Sequence, residues 1–261
     1  MKRIDWVLIL LILGFVAIVL MYIFEPGAET VFDMFTYIVT IGLPLITVAL
    51  GVYLAKVFGT RSLQGKAILF LTIGFFCWTV GEILWIIYEE AVVSFADVAY
   101  LLTYPFLMIG IFYGIKMSTP DIFKNKKRII FLVLITIAAV GVYLYFFPFA
   151  WDLEVSFIEN LVTSGYVIAD LLLIIPLIFL SYSLISGKLS LGWILIGLGI
   201  ISTLIADLWY VQNYEIYALG KQYIDLLWYL MFFLVIYALV YFKRVQRQIK
   251  EKVMEVKEKE I

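Results

Sequence analysis

Eight apolar runs, each long enough or nearly so to cross a hydrocarbon layer, dominate this chain of 261 residues. A core of about 30 Å takes about 20 helical residues. The runs fall near 5–24, 32–56, 67–89, 96–116, 128–149, 160–186, 189–212 and 223–243. They are continuous, which excludes a barrel built from alternating strands of about ten residues. Composition agrees, at 65% hydrophobic and 15% charged residues, against about 45–50% and about 25% in a soluble domain. A soluble enzyme, a disordered chain and a nucleic-acid binder are excluded. The chain has no histidine, so histidine-based metal sites and Ser-His-Asp or Cys-His catalysis are excluded too. The single Cys77 allows no disulfide within the chain and reads as inert packing.

The charges predict an orientation. With eight spans, all but Lys221 of the 19 basic residues fall on one side: Lys2 and Arg3 before the first run, the groups at 56–66 and 116–128, Lys188, and seven after the last run. The opposite side carries Glu25, Glu29, Glu89, Glu90, Asp152, Glu154, Glu159 and Glu215. The bias of loop Lys and Arg toward the cytoplasm then predicts that both termini are cytoplasmic. The first run is too long for a signal peptide and has no small-residue cleavage site.

The two halves read as repeats. Gly74 precedes Glu82 by eight residues, and Gly199 precedes Asp207 by the same interval, an offset of 125. Asp97-Val-Ala-Tyr100 matches Asp225-Leu-Leu-Trp228 at an offset of 128. Pro44 and Pro176 sit in similar apolar contexts. The fold class expected is an all-α integral membrane protein of eight transmembrane helices in two parallel four-helix repeats, related by an axis along the membrane normal. The boundaries expected are 1–125 and 126–243 for the repeats, and 244–261 for a charged cytoplasmic tail. Chance similarity between apolar helices is the alternative, and matched intramembrane carboxylates speak against it because such groups are rare.

Those carboxylates carry the functional reading. Asp33, Glu82, Asp97, Asp170, Asp207 and Asp225 lie in or at the ends of runs, with no Lys or Arg inside a run to pair with them. A carboxylate near the bilayer centre costs about 2.5–3.5 kcal/mol on insertion scales. Each must therefore be protonated, hydrogen-bonded or bound to a cation. Glu82 falls about 6 Å outward of the middle of its run; Asp207, Asp97 and Asp225 share that outer layer. A capping role at a helix N-terminus accounts for Asp97, which follows Ser94 by three, and for Asp225. It does not account for Glu82 or Asp207. Asp170, in mid-run, reads either as a structural polar contact or as a relay. The same layer holds Trp85, Tyr88, Tyr100, Tyr104, Trp209, Tyr210, Tyr214, Trp228 and Tyr229. These form an interfacial belt or, turned inward beside carboxylates, suit an organic cation. A hard metal ion would need several converging oxygens, and the metal question stays open.

Gly110 and Gly114 form a small-xxx-small pair that allows close helix approach. Pro44, Pro105 and Pro176 are expected to kink their helices. After the last run, Val245, Ile249, Val253 and Val256 follow a helical spacing within a charged tail. That tail reads as a solvated extension touching lipid headgroups, or as a signalling or dimerisation helix.

Residues 78–105 contain Gly81-Glu82-x-x-Trp85-x-x-Tyr88-Glu89, then Ser94-x-Ala-Asp97-x-x-Tyr100-Leu-x-x-Tyr104-Pro105. This pattern resembles the multi-span membrane sensory regions of prokaryotic signalling proteins, which are often fused to histidine kinase or diguanylate cyclase outputs. The resemblance implies a sensory module. It covers about 28 residues strongly and the second half only through the repeat, and no catalytic output domain occurs within these residues.

The expectation is thus a multi-pass sensor or receptor-like module of the cell membrane. A ligand pocket open to the outer face would be lined by Glu82, Asp97, Asp207 and Asp225 with Trp85, Tyr100, Trp209 and Trp228. The partners expected are membrane lipid, a small cationic ligand and a cytoplasmic signalling protein reached through the tail. No cofactor and no nucleic acid are expected. The alternatives are a cation or proton-coupled transporter using the same carboxylates with Asp170, and an intramembrane enzyme using two carboxylates as acid and base.

Overall fold

The computed structural model describes residues 5–24, 29–88, 93–118, 125–183, 189–213, 216–217 and 222–259. Of the residues used above, Lys2, Arg3, Glu25, Glu89, Glu90, Lys124, Lys188, Tyr214, Glu215 and Lys221 lie outside them, as does the side chain of Glu29. Among the described residues, eight helices are long and apolar enough to cross a membrane. They are α1 (Trp6–Phe24), α2 (Glu29–Phe58), α3 (Leu63–Ile87), α4 (Phe95–Ser118), α5 (Lys126–Ala150), α6 (Phe157–Ser183), α7 (Ser190–Gln212) and α8 (Asp225–Lys259). This is a multi-pass helical membrane protein: each segment satisfies its own backbone, as hydrocarbon requires.

Short polar punctuation sets the helix ends. Gly59 adopts a left-handed φ of 82° after α2, the usual device for ending a helix. The Ser62 hydroxyl then accepts the Gly65 N–H at 2.9 Å and opens α3. Before α4, the Asp97 carboxylate accepts the Ser94 N–H at 2.8 Å, and the Ser94 hydroxyl accepts the Ala96 N–H at 3.1 Å. Ser156 and Glu159 bond reciprocally at the start of α6, a capping box.

Contacts fix the helix directions. α3 and α4 are antiparallel, with Gly81 against Tyr100 and Gly74 against Leu107. So are α7 and α8, with Gly199 against Met231 and Gly192 against Phe242. α4 packs on α6 and α8 packs on α2, both in parallel. Asp97 meets Tyr166 and Gly114 meets Leu180, while Thr40 meets Tyr229 and Val57 meets Gln246. α1 runs antiparallel along α8, with Tyr22 at Asp225 and Asp5 at Arg244. The bundle thus has two ends, one marked by Asp97 and Asp225, the other by Asp5 and Arg244.

The core is a continuous cluster with Phe75, Ile111, Leu177, Trp193, Met231 and Phe242 among its least exposed side chains. α7 and α8 form its centre, with half of each span buried; α1 and α5 are peripheral, at 11% and 6%. The Gly110 and Gly114 pair is used twice: Gly110 lets α4 close on Ala67 and Leu71 of α3, and Gly114 lets it close on Leu180 and Trp193. Pro44, Pro105, Pro148 and Pro176 all lie inside continuous helices.

The ends of the runs lie within a few residues of the helix ends in most cases. The last helix differs most. It continues unbroken through the charged tail to Lys259, because no Gly or Pro interrupts it and the tail keeps helical spacing. Val245 is buried, whereas Ile249, Val253 and Val256 are exposed.

Candidate functional site: a layer of carboxyl groups

Five of the six intramembrane carboxyls occupy one layer near the Asp97–Asp225 end, and four of them, Glu82, Asp97, Asp207 and Asp225, accept hydrogen bonds from aromatic side chains. Asp33 is exposed and stands apart. On α3, Glu82 accepts the Trp78 indole N–H at 2.5 Å, because the two residues are one helical turn apart. Tyr100 of α4 lies close enough to the same carboxyl to interact with it. The approach is possible because Gly81 has no side chain: a Cβ there would sit 2.6 Å from the Tyr100 ring.

Asp97 caps α4, as its position in the sequence predicts, and also accepts the Tyr166 hydroxyl of α6 at 2.8 Å. Asp225, the first residue of α8, is buried. It accepts the hydroxyl of Tyr22 at 3.0 Å and that of Tyr217 at 3.2 Å. The Tyr22 and Tyr229 hydroxyls are 3.1 Å apart, and Tyr229 reaches Thr40 at 2.9 Å. A hydroxyl chain thus links α1, α2 and α8. Glu82 and Asp225 are near enough for their charges to interact.

Asp207 of α7 accepts the Trp228 indole N–H at 2.7 Å and lies close enough to Asp170 of α6 for the two carboxyls to interact. Asp170 is 1% exposed and also contacts Tyr104 of α4. Two carboxylates cannot hydrogen-bond each other without a proton or a cation between them. Among the described residues the ion pairs are Arg244 with Asp5 and Arg247 with Glu251, so none neutralises this layer.

The structure therefore joins Glu82 with Tyr100, Asp207 with Trp228, and Asp170 with Asp207. Trp85 and Trp209 are half-buried, and among the described residues neither hydrogen-bonds a carboxyl. Glu82, Asp97, Asp207 and Asp225 each accept a hydrogen bond from an aromatic side chain. A small cavity of about 10 Å³ lies among Phe75, Trp78, Leu107, Leu173, Ile200 and Met231, beside Asp170, Thr103, Tyr104 and Thr203, and its surface is apolar. No group of three or more His, Cys, Asp or Glu is placed to hold a metal ion among the described residues.

Trp78, Tyr166, Tyr22 and Tyr217 were not legible as site residues. Only Trp78, four residues before Glu82, left a local signal. The other three reach their carboxyls across 69, 203 and 8 positions of sequence, and only packing brings them there.

At the opposite end, Asp5 caps α1 by accepting the Leu8 N–H at 3.1 Å. Both its oxygens are held by the Arg244 guanidinium, and one also accepts the Tyr237 hydroxyl at 2.8 Å. The Arg244 hydrogen bonds, outweighing desolvation, hold the Asp5 carboxyl well below the usual carboxylate range.

Compared with models of known families, with characterised proteins and with solved structures, the chain matches none.

Proposed function

We propose that this chain is a sensor or receptor-like module of a cell membrane, in which the carboxyl layer receives a small ligand and α8 carries the change to the cytoplasmic side. The observation that carries this reading is the continuity of α8. Asp225, its first residue, belongs to the layer, and the same helix runs 35 residues to Lys259, about 52 Å at about 1.5 Å per residue. Arg247 and Glu251 are exposed on it. A displacement at Asp225 has no loop or break in which to dissipate.

The reading takes both termini as cytoplasmic, supported by the distribution of Lys and Arg. It also takes the two halves as parallel repeats. Gly74 closes on Thr103 as Gly199 closes on Met231, and Glu82 meets Tyr100 as Asp207 meets Trp228. Each pair of contacts is related by the offsets 125 and 128. The packing of α4 on α6 mirrors that of α8 on α2. α1 and α5 break the correspondence: α1 leans on α8, α5 on α6 and α7.

Transport is less well supported. From Asp170 toward the Arg244 end, the buried side chains of α6 are apolar: Leu173, Ile174, Leu177 and Leu180. A label on Lys250→Cys, in a Cys77→Ser background reconstituted into vesicles, separates the readings. Sodium, potassium, choline and tetramethylammonium salts are added outside. A sensor gives a label response to one of them that Asp225→Asn abolishes, with no flux. Flux without a tail response would replace this reading with transport.

A further inference from the structure

We propose that the part of α8 beyond the bundle is a docking surface for an amphipathic helix of a cytoplasmic protein, one whose apolar seam is flanked by Asp and Glu. The proposal rests on the sensor reading and names the kind of partner to which α8 passes its change.

α8 leaves the bundle after Val245 and Gln246. Val245 is 4% exposed, and the Gln246 amide donates to the Val57 carbonyl at 2.8 Å, in the last turn of α2. From Arg247 to Val256 every side chain is exposed, yet the helix continues to Lys259. A helix that projects with nothing to pack on is expected to be polar all round. This one is not. Ile249, Val253 and Val256 are spaced four and three apart, so they share one stripe about 60° wide, at about 3.6 residues per turn. They are 43%, 50% and 55% exposed.

The charges are sorted around that stripe. By the same helical geometry Lys250 lies on one margin, Lys252 on the other, and Glu251 and Glu255 on the far side. In sequence, Lys257 and Lys259 repeat the two margin positions seven residues on. Arg247 donates to Glu251 at 2.8 Å along the far side, whereas neither Lys250 nor Lys252 is in an ion pair among the described residues. An apolar seam with margins of one sign is how helices select a partner of the opposite sign.

Three kinds of occupant compete for the stripe. Two copies in one membrane run parallel, which sets lysine margin against lysine margin and repels. A lipid surface lies across the end of the bundle, but α8 has no Gly or Pro at which to bend onto it, and Val256 stands about 15 Å beyond Gln246 along the axis. A helix with acidic margins, running alongside, meets the seam and both margins together. A seam of three side chains makes a transient contact, not a permanent one.

The test is fluorescence anisotropy of a labelled synthetic amphipathic peptide, with a Leu/Ile seam and Glu on both margins, added to the full chain in phosphatidylcholine nanodiscs. It is expected to bind saturably, while a peptide with Lys margins and a scrambled acidic peptide do not. Ile249→Ser/Val253→Ser should abolish binding. Lys250→Glu/Lys252→Glu should weaken it about tenfold, as two ion pairs become two like-charge contacts, and should take up the Lys-margined peptide instead. All four positions are exposed, so both variants should melt with wild type. Equal binding of the Glu- and Lys-margined peptides would overturn the proposal, as would binding that the serine variant retains. A fluorophore on Val253→Cys, in a Cys77→Ser background, tests the other occupants without peptide. A shift on anionic nanodiscs but not neutral ones would assign the stripe to lipid, and disulfide linkage of unlabelled copies in vesicles would assign it to a second copy; either would overturn the proposal. Peptide binding with no response of the tail label to any salt would leave this surface standing and remove only the sensor reading.

Discussion

The Arg244 guanidinium grips both carboxylate oxygens of Asp5, joining the last turns of the membrane part of α8 to the first turn of α1. Asp5 is part-exposed, at 24%, and Arg244 at 38%, so solvent screens the pair, and a coupling of about 0.5–1 kcal/mol is expected. Because the folded-state carboxyl is depressed, its contribution is present above the unfolded value, about 3.9, and is lost as pH falls through the folded one. Thermal midpoints of wild type and Asp5→Asn should therefore differ at pH 7 and draw together as pH drops below about 4. A constant difference across that range would show that Asp5 acts only as a helix cap.

Gly81 sets the distance between Glu82 and Tyr100. In Gly81→Ala the new methyl would meet Tyr100 Cδ1 at 2.6 Å. That ring packs edge-on against Trp78, with centroids 6.0 Å apart, so it has little room to yield. A loss of about 1–3 kcal/mol is expected. Gly42→Ala meets nothing within 4 Å and should be neutral or stabilising by up to about 1 kcal/mol. Denaturant titration of the two variants in mixed micelles reads the difference.

Tyr22 donates to a buried carboxyl from a helix that is otherwise peripheral. Tyr22→Phe keeps the ring contacts with Phe32 and Tyr229 but leaves Asp225 with Tyr217 alone. A loss of about 1–2 kcal/mol follows. Tyr145, 66% exposed, supplies the control, and Tyr145→Phe should melt like wild type.

Single cysteines test the orientation. In a Cys77→Ser background, Asp152→Cys should react with an impermeant maleimide on intact cells. Lys250→Cys should react only after permeabilisation. The reverse pattern would invert the topology drawn from the basic residues.

The spans were legible because hydrocarbon leaves the chain few choices: a run of about 20 apolar residues has to be a helix. The carboxyl layer was legible for the same reason, since Glu82 and Asp207 have no other place in an apolar run. Tyr100 and Trp228 were legible as members of the same layer; Trp78, Tyr22, Tyr166 and Tyr217 were not. Trp209, two positions after Asp207, points elsewhere around the helix; Trp85, three after Glu82, is within reach by spacing, but the carboxyl turns to Trp78, one turn before it. Tyr22 and Tyr166 sit in runs indistinguishable from their neighbours, and only the packing of α1 on α8 and of α4 on α6 aims them. Asp5 and Arg244 flank the first and last runs at the same end, but nothing in sequence says that those two helices are neighbours.

α1 has little packing to hold it, yet it is fastened to α8 near both extremities, by Tyr22 on Asp225 and by Asp5 on Arg244. Fasteners so far apart on two antiparallel rods act as a register key. Sliding α8 by one turn would undo both together. An axial shift of α8 against α1 therefore has to break both fasteners at once, and neither end can slip alone.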